Sequence, residues 1–156
     1  MKTFVLGYDE SPEASRAVER TAELAKALGA RVIVTSVAPI MAFSARGIGP
    51  YDPADPPERH RVLVQDAAAI LAEQGVATET VTGLGDPGDA IVELADERGA
   101  DLIVLGMSHH PQLSRILGSV SEDVAHHAHC DVLLVHLTGW RKTGIRGSGF
   151  RSREDP

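Results

Sequence analysis

Apolar residues along the chain fall into five short runs separated by longer segments with helical periodicity. The runs predict β-strands because they are bounded by turn residues and most are rich in Val, Ile and Leu. Residues 31–37 and 102–105 show little polar alternation, which is typical of strands covered on both faces. Residues 77–82 are more polar, which predicts an edge strand. The five predicted strands are residues 3–6, 31–37, 77–82, 102–105 and 131–137.

The first and third predicted helices begin in the same way. Ser11 and Asp86 are each followed by a proline, and a capping side chain before a proline at the first helical position is typical of a helix start. Apolar residues recur at helical spacing after both starts, and Gly29 and Gly99 provide the stops. We expect the buried stripe of the third helix to consist of Ala90, Ile91, Leu94 and Ala95.

The other two helices are predicted from spacing and end signals. The fourth begins at Ser119, because Glu122 lies three residues further on, as in a capping box. The second covers residues 58–74 and closes at Gly75. The apolar spacing of this second helix is defined by Val62, Ile70 and Leu71.

Five strands that alternate with four helices predict an α/β protein. Strands separated by segments of helix length form right-handed crossovers, so we expect a doubly wound parallel sheet with helices on both faces. Ligands of such sheets bind beyond the carboxyl ends of the strands, where the strand order reverses. Asp9 follows the first strand and Gly106 ends the fourth, so the sequence predicts that their loops meet there.

Two segments lack regular patterning. Residues 39–57 contain five prolines and two glycines and form an excursion before the second helix. Its length fits either a flap or partner surface, or plain disorder. Residues 139–156 are dominated by Gly, Arg and Ser without apolar periodicity, which predicts a disordered tail. The folded domain is therefore expected to cover residues 1–138.

Composition narrows the functional classes. A chain of 156 residues, 43% of them hydrophobic, can build one substantial core. The net charge is -7, and the last eighteen residues hold five basic and two acidic side chains, so the first 138 residues carry about ten surplus negative charges. Together with an aromatic content of only 4%, this charge argues against a nucleic-acid partner.

The cysteine content and the hydropathy pattern bear on the location of the protein. Cys130 is the only cysteine, so no internal disulfide can form, and we interpret it as a packed, inert thiol. Met1 leads directly into a strand-like run without a signal-peptide pattern, and no stretch approaches the roughly eighteen apolar residues of a membrane span. The sequence favours a cytoplasmic protein without a membrane partner.

Four motifs follow one another in a fixed order over residues 1–136. They are Gly7-Tyr8-Asp9-Glu10-Ser11, Gly85-Asp86-Pro87, residues 100–106 and Gly118-Ser119-Val120-Ser121, the last followed by a helix through His127 and Ala128. Several motifs in register are far more specific than a lone glycine motif. Together they resemble the motifs of the universal stress protein family. In that family the first motif usually ends Asp-Gly-Ser, and Glu10 stands here in place of the glycine.

The resemblance implies a fold and a ligand. The fold is the adenine nucleotide alpha hydrolase-like one, with strand order 3-2-1-4-5, and the ligand is an adenine nucleotide, ATP or AMP. Asp9 is implied at the ribose or the adenine edge, and Val37 against the base. Glycines allow the backbone to approach phosphates, and a helix N-terminus favours an anion. The other implied binding positions are Gly7, Tyr8, Gly106, Ser108, His109, Gly118, Ser119, Val120 and Ser121.

The phosphate loop departs from the family pattern Gly-x2-Gly-x9-Gly-Ser/Thr. Counting from Gly106 puts His109 at the second glycine, and only eight residues separate His109 from Gly118 instead of nine. Pro111 also offers no amide proton to an anion. Tight triphosphate binding is therefore not expected. Nucleotide binding is still compatible with this loop if the nucleotide is held mainly by its base and ribose, with its phosphates near His109 and His110.

Two functional hypotheses follow from the resemblance. The leading one is a dimeric stress-response module that binds an adenine nucleotide weakly. The alternative is a nucleotide-free interaction module of the same family, with a degenerate phosphate loop, that acts through its dimer surface and residues 39–57. The family implies a homodimer through the last strand, from Val132 to Leu137, because an apolar edge strand invites symmetric pairing. A tail that starts at Trp140 and covers this edge is the alternative.

Metal binding and catalysis are less favoured. Residues 126–130 contain three histidines and one cysteine, but their spacing does not match a known metal site, and histidines suit a last helical turn. A histidine-rich metal-binding protein is the third hypothesis, and no metal is expected. Ser108 beside His109 does not form the nucleophile arrangement of a hydrolase, so we expect no enzyme.

Overall fold

Five strands and four helices alternate in the part of the chain that the structure describes, as the apolar pattern predicts. The computed structural model describes residues 1–40, 51–107 and 119–137, and the predictions for residues 41–50, 108–118 and 139–156 lie outside these ranges. The strands are β1 (Thr3–Gly7), β2 (Arg31–Ala38), β3 (Thr78–Leu84), β4 (Leu102–Gly106) and β5 (Asp131–Val135). The helices are α1 (Pro12–Leu28), α2 (Pro57–Glu73), α3 (Pro87–Arg98) and α4, described over Ser119–His127.

The strands form one parallel sheet in the order β3-β2-β1-β4-β5. The predicted class and strand order are therefore confirmed. The order reverses at β1, because β2 and β4 flank it on opposite sides. β3 is an edge strand with alternating exposure, as its polarity predicts. β5 ends at Val135, two residues earlier than predicted, and is the other edge of the sheet in the described part of the chain.

Two hydrophobic layers cover the two faces of the sheet. Along β1, Phe4 and Leu6 pack on one face with residues of α1 and α2, whereas Val5 packs on the other with residues of α3 and α4. This alternation follows from the two-residue period of a strand. The central strands are buried on both faces, which explains why their sequences show no polar alternation.

The predicted caps of α1 and α3 are confirmed. Ser11 Oγ accepts a hydrogen bond of 3.1 Å from the Ala14 N–H, and Asp86 Oδ1 accepts one of 3.0 Å from the Asp89 N–H. Gly29 and Gly99 end the two helices in the left-handed conformation, which glycine adopts without steric cost. These caps fix where each helix begins above the sheet.

The predicted second helix is confirmed as α2, but most of the residues that define its apolar spacing lie outside its buried face. Val62 and Ile70 are 54% and 42% exposed, and of these three residues only Leu71 is buried. The face that packs on the sheet contains alanines, whose small side chains give a weak apolar signal, and one histidine. The buried residues of α2 are His60, Leu63, Val64, Ala67, Ala68 and Leu71.

Asp101 joins the starts of β1 and β4. Its Oδ2 accepts a hydrogen bond of 2.8 Å from the Thr3 N–H, and its own N–H donates one of 2.8 Å to the Thr3 carbonyl oxygen. The pKa of the Asp101 carboxyl is lowered chiefly by the hydrogen bond from Thr3, with a further contribution from the charge of Lys2. The native state therefore favours the ionised carboxyl.

This lowered pKa predicts an acid-dependent loss of stability. A carboxyl with a lower pKa in the folded state contributes stability that is complete above its unfolded value, about 3.9, and is lost as the pH falls through the folded value. Asp101→Asn should lower the free energy of unfolding at about pH 7, and the deficit should shrink at about pH 3. Urea unfolding of both proteins measures it, and an equal deficit at both pH values would contradict the assignment.

Candidate functional site

A cavity of about 450 Å³ lies at the carboxyl ends of β1, β2 and β4. This is the position that the reversal of strand order predicts. Of the predicted site residues, Ser108, His109 and Gly118 lie outside the described residues, and Ser119 is described only as the first residue of α4. The structure brings the other seven together around this cavity: Gly7, Tyr8, Asp9, Val37, Gly106, Val120 and Ser121.

The loop after β1 holds Asp9 at the cavity through short-range hydrogen bonds. The Tyr8 N–H donates to the Thr35 carbonyl oxygen over 2.9 Å, which extends the pairing of β1 and β2 by one residue. Asp9 Oδ1 accepts from the Ser11 N–H over 3.0 Å, an Asx turn that leads into α1. Asp9 itself is exposed, so its carboxylate is accessible to a ligand.

Glu10 has a left-handed backbone, with φ 66°, and in the described part of the chain it is the one residue other than glycine with a positive φ. This conformation is strained for a residue with a Cβ and is natural for glycine. It explains why the resembling motif usually has glycine here. The Glu10 carboxylate also lies 3.4 Å from Arg59 Nη2, an exposed pair at the start of α2.

Replacing Glu10 by glycine should therefore stabilise the protein. Relief of the left-handed strain outweighs the extra freedom of the unfolded chain and the loss of one surface ion pair, so we expect a gain of about 0.5–1 kcal/mol. Chemical unfolding of Glu10→Gly measures the gain. Glu10→Gln is the matched control, since it removes the charge and keeps the strained backbone, and a gain of the same size in Glu10→Gln would refute the strain argument.

Gly106 has a packing role that the sequence does not reveal. A Cβ on Gly106 would lie 2.5 Å from the Glu13 carbonyl carbon and 2.6 Å from the Ala14 nitrogen, both backbone atoms of α1. The absent side chain therefore lets the first turn of α1 pack directly on the end of β4. Gly106 also lines the cavity, so this packing brings the start of α1 to the cavity wall.

The sequence interpretation missed a buried polar group beside the cavity. Ser36 Oγ lies 2.7 Å from His60 Nδ1, and His60 Nε2 lies 3.0 Å from Asp55 Oδ1. All three residues line the cavity, together with Thr35. The available signal was a histidine in the first turns of α2, five residues after an aspartate at the end of the excursion. Its partner on β2 is distant in sequence and could not be read from the chain.

The cluster of histidines and Cys130 near the end of α4 lies away from the cavity. His129 Nδ1 is 2.9 Å from Asp96 Oδ2, and His127 Nδ1 is 2.8 Å from the Asp123 carbonyl oxygen. Partial burial raises the pKa of the Cys130 thiol, with a smaller contribution from nearby carboxylates. Within the described ranges, no group of three or more His, Cys, Asp or Glu side chains could hold a metal ion. None of the helices seen there is long and apolar enough to cross a membrane.

Several known proteins are similar to this chain. A universal stress protein of Mycobacterium tuberculosis is 34% identical over 152 residues, covering 88% of this chain and 97% of that protein. A universal stress protein solved in complex with cAMP is 29% identical, with a TM-score of 0.63, and the match covers 86% of this chain and 97% of that one. The universal stress protein of Archaeoglobus fulgidus in complex with dAMP is 27% identical, with a TM-score of 0.65 and the same coverage.

The sheet order and the cavity define a doubly wound α/β protein with a cavity at the carboxyl ends of its strands. The model of the universal stress protein family matches residues 1–136, which is the whole of the described fold up to the residue after β5. The chain belongs to the universal stress protein family.

Proposed function

We propose that this universal stress protein binds an adenine nucleotide, AMP or ATP, in the cavity at the carboxyl ends of β1, β2 and β4. The observation that carries the proposal is the convergence of Asp9, Val37 and the start of α4 on one cavity. A volume of about 450 Å³ falls within the usual range of small-molecule sites. Two relatives with 27% and 29% identity were solved with adenine nucleotides, dAMP and cAMP, which supports the same ligand class here.

Different side chains around the cavity suit the base and the sugar of a nucleoside. Val37, Ile91 and Leu105 form an apolar wall against which a base can pack. Asp9 offers a carboxylate to a sugar hydroxyl or an amine, because an ionised carboxylate only accepts hydrogen bonds. The phosphates would lie toward the loop that contains His109, where the family pattern has glycine. We therefore expect ATP to bind no more tightly than AMP.

Calorimetric titration with AMP, cAMP and ATP tests the proposal. Asp9→Asn keeps an oxygen for the Asx turn but removes the charge, so we expect its affinity for AMP to fall about tenfold. Asp66→Asn is the matched control, because Asp66 is an exposed residue of α2 outside the cavity wall, and it should bind as the unmodified protein does. Equal affinities of all three proteins would exclude this site, even if a nucleotide binds elsewhere.

The proposal concerns binding without turnover. Incubation of the protein with ATP should leave the nucleotide intact, and chromatography of the mixture checks this. The replacement of a loop glycine by His109 favours one alternative, a nucleotide-free interaction module of the same family. That alternative predicts no heat with any of the three nucleotides.

We also propose a homodimer through β5. β5 is an edge of the described sheet, and its residues Val132, Leu133 and Leu134 are only half-buried in the single chain. Pairing with a second copy across a two-fold axis would cover both edges at once. Sedimentation that finds only monomer at micromolar concentration would reject the dimer.

A further inference from the structure

Asp55, His60 and Ser36 form a chain of hydrogen bonds that ends at the cavity wall. Ser36 and His60 are 4% and 6% exposed, so water does not readily replace their mutual hydrogen bond. The bond between Ser36 Oγ and His60 Nδ1 is 2.7 Å long, and that between His60 Nε2 and Asp55 Oδ1 is 3.0 Å long. A buried and fully paired group of this kind has a defined hydrogen-bond polarity.

The protons in this chain are fixed by the acceptor at its outer end. The Asp55 carboxylate can only accept, and its Oδ1 also accepts from Arg59 Nη1 over 3.0 Å. In the tautomer that carries its proton on Nε2, His60 donates to Asp55 and has an acceptor at Nδ1. In that tautomer the Ser36 hydroxyl donates its one proton to His60. Ser36 Oγ is left with lone pairs only, so it can accept a hydrogen bond from a ligand but has no proton to offer.

The charged side chains of the described cavity wall have the same preference. The Asp9 and Asp55 carboxylates accept hydrogen bonds, and no lysine or arginine is among the residues that line this part of the cavity. The hydroxyls of Tyr8, Thr35 and Ser121 can both donate and accept. Ser36 and Val37 are consecutive on β2, so their side chains point to opposite faces of the sheet, and both residues line the cavity at the end of the strand. This wall is complementary to a ligand that carries N–H or O–H donors.

We infer that Ser36 is a specificity-determining residue that accepts a hydrogen bond from a donor on the nucleoside, and that His60 and Asp55 position it as an acceptor. The inference rests on the proposed nucleotide site and deepens it, since it names the group that the site recognises. Two parts of an adenine nucleotide carry such a donor, the exocyclic amine of the base and the hydroxyls of the sugar. The site should therefore bind a nucleotide more weakly when it lacks the group that donates a hydrogen bond to Ser36.

The same order of serine, histidine and carboxylate activates the nucleophile of serine hydrolases. The position of Ser36 argues against that role here. A nucleophilic serine is presented at an exposed turn, whereas Ser36 lies within β2 and is almost completely buried. An acceptor in a cavity wall needs only its oxygen to reach the ligand.

The test compares AMP with IMP, in which a carbonyl replaces the amine, and with the 2′-deoxy and 3′-deoxy forms of AMP. If Ser36 reads the amine, Ser36→Ala should bind AMP about tenfold more weakly and IMP unchanged, because one hydrogen bond is lost only where the donor exists. If it reads a sugar hydroxyl, Ser36→Ala should weaken AMP and IMP equally and leave one deoxy nucleotide unchanged. Either pattern supports the inference.

Two variants of His60 separate positioning from general structure. His60→Asn keeps an acceptor near the Nδ1 position and should retain the discrimination of the unmodified protein. His60→Leu frees the Ser36 proton, so the ratio of affinities for the preferred and the disfavoured nucleotide should fall about tenfold. Circular dichroism and thermal unfolding report whether each variant is folded. If Ser36→Ala does not fold because His60 Nδ1 is left unpaired, Ser36→Ala combined with His60→Leu removes both partners and should show the same lost discrimination.

The outcomes distinguish this inference from the proposed function. Absence of binding by the unmodified protein to all of these nucleotides would overturn both. Binding by the unmodified protein with affinities that Ser36→Ala leaves unchanged, or lowers equally for every nucleotide, would overturn the role of Ser36 and leave the nucleotide site standing.

Discussion

Gly106→Ala should destabilise the protein by about 3 kcal/mol, the upper end of what overpacking a core costs. The added Cβ would lie 2.5–2.7 Å from three backbone atoms of Glu13 and Ala14 in the first turn of α1. Backbone atoms of a capped helix cannot move aside as a side chain can, so α1 would have to shift from the end of β4. The φ of Gly106 is not in the left-handed region, so this clash, and not backbone strain, is the cause.

Gly7→Ala is the matched control for Gly106→Ala. Gly7 also ends a central strand and lines the same cavity, but its added Cβ would meet the ends of the Leu105 and Ile91 side chains. Those side chains can change rotamer, so we expect a loss of about 1 kcal/mol. Urea unfolding followed by circular dichroism measures both. If Gly106→Ala unfolds at the same urea concentration as Gly7→Ala, the packing of α1 on β4 is not what the structure indicates.

Leu71→Ala should cost about 3 kcal/mol of folding free energy. Leu71 is fully buried between α2 and the sheet, and removing a buried leucine side chain leaves a cavity as well as losing its transfer free energy. The change is within one helix turn of the end of α2, where the helix packs against the core cluster that includes Phe4 and Leu6.

Ile70→Ala provides the comparison for Leu71→Ala at the neighbouring position. Ile70 has the same number of carbon atoms as Leu71 but is 42% exposed, and alanine is a better helix former than isoleucine. We expect a change below about 0.5 kcal/mol. Unfolding free energies of the two variants that differ by less than about 1 kcal/mol would mean that α2 does not present the face seen in the structure.

The order of the elements could be predicted because it depends on local signals. Ser11 and Asp86 cap helices wherever such residues precede Pro and an apolar period, and the buried strands are continuous apolar runs. The face of α2 could not be predicted in the same way. Its buried side includes alanines and His60, whereas Val62 and Ile70 on the outside carry the larger apolar side chains. The helical spacing of apolar residues does not identify the buried face of a helix when the larger apolar side chains lie on its exposed side.

The candidate site also has one part that could be predicted from the sequence and one that could not. Its strand ends could be predicted, because the carboxyl ends of parallel strands on either side of a reversal in strand order must lie together, and Asp9 and Gly106 do. Val37, which the family resemblance implies, lines the same cavity. The bond between Ser36 and His60 joins residues 24 positions apart on two different elements. Nothing in the local pattern of either element indicates such a pair, because it exists only once α2 packs against β2.

Ile40 and Tyr51 form an antiparallel β-bridge, so the two ends of the intervening segment are held side by side. Once the ends are fixed, each doubling of the length between them adds only about 0.6 kcal/mol of closure entropy. This point of the chain is therefore suited to insertion, by evolution or by design, without a change in the sheet. Pro39 and Asp55, which flank the bridge, both line the cavity, so a reporter peptide inserted between Ile40 and Tyr51 would be tethered beside the candidate site.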